Sequence, residues 1–259
     1  MTDKERKLQA FSRLLDIMDD LRAECPWDKK QTMRSLRHLT IEEVYELTDA
    51  ILDDDLDEVK KELGDIILHV IFYSKIASES GNFDIADVLN AQCEKLIHRH
   101  PHIYGDVNVK DAAQVSENWE QLKLKEGKKS VLEGVPVSLP SLVKAMRVQD
   151  KASASGFDWD NPVQVIDKVE EELKELKTEI DADDKKRITD EFGDLLFSLV
   201  NLSRFLDINP DEALESTNKK FIGRFRFMED EVRKTGKKLK DMELAEMDRI
   251  WDLAKRNGL

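Results

Sequence analysis

The chain has 259 residues, 40% of them apolar and 37% charged, with only 10 Gly and 6 Pro, a makeup that fits a helical globular protein and excludes disorder or a many-turned β fold. A formal charge of −14 repels phosphodiester backbones, so a basic face for nucleic acid is excluded, and no run approaches 18 apolar residues, which excludes a membrane helix. Cys25 and Cys93 are too few for a disulfide framework, and the polar start from Met1 to Arg6 has no apolar region after it, so the expectation is an unprocessed, cytoplasmic protein.

The first recognisable feature along the chain is Trp27-Asp28. After it Leu39, Leu47 and Ile51 recur at helical spacing, and Leu63, Ile66, Ile67, Val70 and Ile71 do so again beyond the polar run Asp53-Asp54-Asp55. This pattern predicts a helix, a short acidic turn and a second helix, with the aspartates placed to cap the second helix and face its dipole. Lys95 and Arg99 follow, then Trp119 and Lys123. The stretch from Gly127 to Pro140 holds two Gly and two Pro and cannot be a continuous helix.

Beyond it the chain repeats itself. A shift of 129 places lays Glu42 to Ala77 on Glu171 to Leu206 without a gap, and 11 of the 36 positions are identical, against roughly two expected from background composition. The matches concentrate on Glu, Asp and Gly. Outside this block Trp27-Asp28 answers to Trp159-Asp160, Lys95 and Arg99 to Lys220 and Arg224, and Trp119 and Lys123 to Trp251 and Lys255. The expectation is two tandem all-α domains, 1–130 and 131–259, each built on a helical hairpin and resembling a four-helix bundle.

The repeated acids form a pattern of their own. In an antiparallel hairpin centred on position 54, Glu46 faces Glu62 and Glu43 faces Asp65; about position 183, Glu175 faces Glu191 and Glu172 faces Asp194. Acids three residues apart stack on one helix face about 4.5 Å apart along the axis. Glu43 shares its stripe with Leu39 and Leu47, and Glu62 with Val59, Leu63 and Ile66, so these carboxylates are expected on or beside buried faces, where unpaired charge is costly. A divalent cation relieves that conflict, and an all-oxygen ligand set points to Mg²⁺, with Mn²⁺ as a substitute, rather than zinc. Gly64 and Gly193 lie inside the second helix of each hairpin, where Gly costs about 1 kcal/mol relative to Ala; close packing on the first helix and approach of a ligand are both open.

Glu-x-x-Glu followed by Glu-x-x-Asp on two helices, in duplicate, resembles the MazG family of nucleoside triphosphate pyrophosphohydrolases. The resemblance extends to Cys25-Pro26-Trp27-Asp28, Gln31-Thr32, Ser35-Leu36, the run His100 to Asp106 and Gly156-Phe157-Asp158-Trp159. Met33 departs from it, since the family's Gln-Thr is usually followed by His. The resemblance implies an all-α fold, usually dimeric, that converts a nucleoside triphosphate and water to the monophosphate and pyrophosphate. By similarity Glu172, Glu175, Glu191 and Asp194 would hold Mg²⁺ and carry catalysis, with Lys220, Arg224, Trp251 and Lys255 around the nucleotide; Glu43, Glu46, Glu62 and Asp65, with Lys95, Arg99, Trp119 and Lys123, are the counterparts in the first half. Trp251 suits base stacking or core packing, and the cations suit phosphates or an acidic surface.

Other chemistries fit less well. Gly127-Lys128-Lys129-Ser130 lacks the first Gly and the spacing of a phosphate-binding loop, and His98, His100 and His102 alternate around a Pro with no companion Cys or acid, which suits turn hydrogen bonding better than zinc. A metal-dependent nucleotide-binding or scaffold protein with little turnover is the alternative to an enzyme. Between the halves, Lys219, Lys220, Arg224 and Arg226 offer more cationic charge to a triphosphate than Lys95 and Arg99 do beside the largely neutral His98 and His100, so the second half is expected to be the principal catalyst.

Overall fold

The computed structural model describes residues 1–111, 114–115, 118, 130–236 and 238–259; Trp119 and Lys123 lie outside the described residues. Every regular element among those residues is helical. The chain divides into two compact units, Met1–Asp111 and Ala112–Leu259. No described helix is long and apolar enough to cross a membrane.

The first unit consists of α1 (Asp3–Glu24), a 3₁₀ turn (Asp28–Lys30), α2 (Met33–Leu52), α3 (Leu56–Glu79), α4 (Ile85–Arg99) and the single turn α5 (Pro101–Tyr104). Helices α2 and α3 pair as a hairpin, and α1 and α4 each pack on α3. Met18, Leu36, Ile71 and Phe72 form the buried centre, with Phe11, Leu14, Leu39, Leu68 and Ile76 packed around them. Short-range chemistry sets each helix start. Thr32 and Ser35 form a reciprocal capping box at α2, and Asp55 accepts from the amides of Asp57 and Glu58 at α3. The Trp27-to-Leu36 motif therefore builds the entry to the hairpin. Gln31 Nε2 donates to the Trp27 carbonyl at 3.2 Å and Gln31 Oε1 accepts from Ser35 at 2.6 Å, while Leu36 is fully buried.

The second unit contains α6 (Ser141–Ala154), α7 (Pro162–Ala182), α8 (Lys185–Phe205), α9 (Pro210–Lys234), a 3₁₀ turn (Leu239–Asp241) and α10 (Leu244–Arg256). Helices α7 and α8 repeat the hairpin, α6 packs on α8, and α9 pairs with α10. Asn161 caps α7 ahead of a Pro at its first position, and Asp184 caps α8 as Asp55 caps α3. The two acidic turns match in their backbone too: Asp54 and Asp183 both adopt φ 54°, a left-handed conformation that Asp tolerates better than most residues.

The expected buried face of the first hairpin is only partly buried. Ile71 is in the core, but Leu63, Ile67 and Val70 are exposed, as are Phe192, Leu196 and Leu199 at the corresponding places on α8. Val44 and Ile51 on α2, and Leu173 and Ile180 on α7, are exposed in the same way. Periodicity marks a residue as belonging to an apolar stripe; it does not say whether the chain's own helices or another surface covers that stripe.

Candidate functional site

In each hairpin the structure brings three acids together. Ligand oxygens of Glu43, Glu46 and Glu62 all lie within 4.8 Å of one another, and so do those of Glu172, Glu175 and Glu191. The fourth acids stand outside these sets but act on them electrostatically: Asp65 on Glu43 across the hairpin, and Asp194 on Glu191 one turn before it on the same helix. The Glu43 carboxyl is pushed above its ordinary range, first by burial and then by the charges of Asp65 and Glu46. The Glu191 carboxyl is raised too, by burial first and then by Glu175, Glu172 and Asp194. Clustered like charges in a partly desolvated place favour uptake of a proton or a cation.

The acids differ sharply in burial. Glu62 is 1% exposed and Glu172 6%, while Glu46 and Glu175 face solvent. Glu62 Oε2 is buried with no hydrogen-bond partner, an arrangement that costs about 1–3 kcal/mol or more for a charged group unless a ligand satisfies it. A hard, oxygen-seeking cation fits the donor set and would supply the missing partner. Gly64 and Gly193 sit between the third and fourth acids, and a Cβ on either would meet nothing within 4 Å. Packing against the first helix is therefore not what these glycines serve.

Two residues that sequence reasoning passed over complete the electrostatics. Lys61 Nζ lies 2.6 Å from Glu58 and 3.2 Å from Glu62; Lys168 Nζ lies 2.9 Å from Glu171 and 2.7 Å from Glu172. The spacing of three and four residues between Lys168 and its acids was the available signal. His69, one turn beyond Asp65, was missed as well: it is buried, its Nδ1 has no hydrogen-bond partner, and burial lowers its pKa.

The expected nucleotide-binding residues of the second half form a separate group on α9 and α10. The Arg224 guanidinium lies 5.7 Å from the centre of the Trp251 ring, the Phe221 ring 5.0 Å from it, and Arg224 Nε donates to the Leu259 carbonyl at 2.8 Å. Lys220 is exposed, and Lys255 pairs with Asp252 at 3.2 Å. Lys95 and Arg99 lie on the last turns of α4. His100 Nδ1 bonds the Leu96 carbonyl at 2.6 Å, and its ring lies 5.6 Å from that of His102, so these histidines build a turn.

Each hairpin is tied to the segment before it by a buried or half-buried arginine. Arg22 bridges Glu79 at the end of α3 and the carbonyls of Asp28 and Gln31; Arg204 at the end of α8 grips both oxygens of Asp158, which also accepts from Ser153 at 2.6 Å. Beside this clamp, Met146, Ser203, Arg204 and Asn209 line a cleft of about 360 Å³. None of the repeated acids lines it.

The sequence profile of the MazG nucleotide pyrophosphohydrolase domain matches residues 31–104 and 161–226, segments that hold all eight acids. The chain is 45% identical over 250 residues to the nucleoside triphosphate pyrophosphohydrolase/pyrophosphatase MazG of Thermotoga maritima, covering 95% of each protein. It is 39% identical over 261 residues to the nucleoside triphosphate pyrophosphohydrolase of Escherichia coli strain K12, covering 97% of this chain and 99% of that one.

Proposed function

The chain belongs to the MazG nucleotide pyrophosphohydrolase family, and from that premise we propose that it hydrolyses nucleoside triphosphates to the monophosphate and pyrophosphate, using Mg²⁺ held by the hairpin acids. The observation that carries this reading is the duplicated carboxylate set with its deeply buried members, one of which has an oxygen left without a partner. Glu172, Glu175 and Glu191 would hold the cation in the second unit and Glu43, Glu46 and Glu62 in the first, with Asp194 and Asp65 acting from the next turn. Bound there, Mg²⁺ supplies activation of water and neutralises the charge of the departing pyrophosphate. Asp194, one turn along α8 from Glu191, would with it be the acceptor that orients the attacking water. Lys220, Arg224 and Lys255 hold the phosphate chain, and Lys95, Arg99 and Lys123 are their counterparts. Trp251 offers the base only the part of its ring that Phe221 and Arg224 leave free, and Trp119 is its counterpart.

The working form is a homodimer. The exposed apolar stripes recur at spacings of three, four and seven residues on both hairpins (Val44 and Ile51 with Leu63, Ile67 and Val70; Leu173 and Ile180 with Phe192, Leu196 and Leu199), the pattern of a helix pair that completes a bundle with another. The free Cys25 and Cys93 support a reducing, cytoplasmic setting. Phosphorus NMR of the purified chain with a nucleoside triphosphate tests the reaction. Pyrophosphate should appear as one piece with Mg²⁺ or Mn²⁺ and stop with EDTA; orthophosphate as the first product, or binding without turnover, would refute the proposal.

A further inference from the structure

The two acid sets are balanced by lysines from opposite helices. Lys61 belongs to α3, the second helix of its hairpin, whereas Lys168 belongs to α7, the first of its own. At the 129-residue spacing Lys61 corresponds to Asp190 and Lys168 to Leu39, so neither lysine is the duplicate of the other. Both nevertheless make the same arrangement. Each ammonium holds one acid of a candidate metal set, the most buried one, and one more open acid outside that set: Glu62 with the half-buried Glu58, and Glu172 with the exposed Glu171.

Resting on the metal reading above, we propose that Lys61 and Lys168 are displaceable counter-cations, each of which gives up its buried glutamate to an incoming divalent ion and retreats to the more open glutamate it already contacts. An ammonium and a divalent cation compete for the same carboxylate, and their like charges repel each other at this range. In the metal-free protein the lysine relieves repulsion among the acids. On metal entry the ion pair to Glu172 must be broken, so the affinity measured there is net of it. The exposed Glu171 keeps the released ammonium from being stranded. The contact at Lys168 is 2.7 Å and that at Lys61 3.2 Å, and Glu62 retains a free oxygen while held, so the second unit's site gives up more on metal entry.

The test counts free Mn²⁺ by electron paramagnetic resonance against the full chain, with Glu43→Gln and Glu46→Gln in every sample so that only the second site titrates. Lys168→Met should bind Mn²⁺ about tenfold more tightly, and its metal-free melting midpoint should fall while the Mn²⁺-bound midpoint does not. Lys177→Met, the same charge change farther along α7, should alter neither. Lys168→Gln, which keeps hydrogen bonding to the acids without the charge, should also bind more tightly, and it serves if the Met variant fails to fold without metal. Unchanged or weaker binding in the Lys168 variants, with normal binding in the Lys168 parent, overturns the counter-cation role alone. A parent that takes up no Mn²⁺ overturns the metal reading and this inference together.

Discussion

The two hairpins carry identical acids, identical left-handed aspartates at the turn and equivalent helix caps, yet they differ in how the most buried acid is treated. Glu62 lies deeper than Glu172 and keeps an unpartnered oxygen, while Glu172 is bonded at 2.7 Å by a half-buried lysine. The first unit also gathers a clustered core around Met18, Leu36, Ile71 and Phe72, whereas the second buries Val165, Val200, Met228, Val232 and Ala254 across four helices and a longer span of chain. Duplication thus preserved the acids and the turn geometry, because those are local, and let the counter-charges and the core diverge, because many placements satisfy them.

The widest separation of the two halves is expected in turnover. Glu172→Gln with Glu175→Gln should lower pyrophosphate release on the order of a thousandfold, as loss of the electrostatic stabilisation at the reacting phosphate would, while Glu43→Gln with Glu46→Gln should leave most of it. The reverse result would make the first half the catalyst, and equal losses would mean two coupled sites.

A smaller difference lies in metal-free stability. Glu62→Gln removes a buried charge with an unpaired oxygen and should stabilise the chain by about 1 kcal/mol in urea unfolding with EDTA. Glu172→Gln should bring no such gain, since the lysine contact it gives up is closer, 2.7 Å against 3.2 Å at Glu62. A gain at Glu172 equal to that at Glu62 would erase the asymmetry between the sites.

The smallest effect concerns the two arginine clamps. Arg22 holds the Glu79 carboxyl below its usual range, chiefly through their hydrogen bond. At Asp158 burial alone would raise the pKa, but Arg204 and Ser153 outweigh it and leave it lowered. For carboxyls lowered by folding, the stabilisation is complete above the unfolded-state value near 4 and is lost as pH falls through the native values. Melting midpoints should therefore drop below about pH 4. Asp158, the less exposed of the pair, should contribute more than Glu79, and Arg204→Met should flatten the drop more than Arg22→Met. Identical acid profiles for the two variants would show that the clamps are equivalent.

Residue order alone determined the helical class, the duplication, the hairpins with their acidic turns and the acids facing each other across them, because helical period, capping and antiparallel register are short-range consequences of spacing. The motif Gln31-Thr32-Ser35 was visible only as part of the family resemblance; its role as a helix entry comes from the capping box that Thr32 and Ser35 form in the structure. Tertiary structure alone decided that three acids of each four converge while Asp65 and Asp194 stand one turn off, that Gly64 and Gly193 face open space, and that Leu63, Ile67 and Val70 are left uncovered. It also decided which acid is buried and which lysine reaches it. Burial depends on what packs above a residue, which spacing along one helix does not encode; the lysine contacts run along one helix, where spacing allows several acids and the rotamer in the folded chain selects among them.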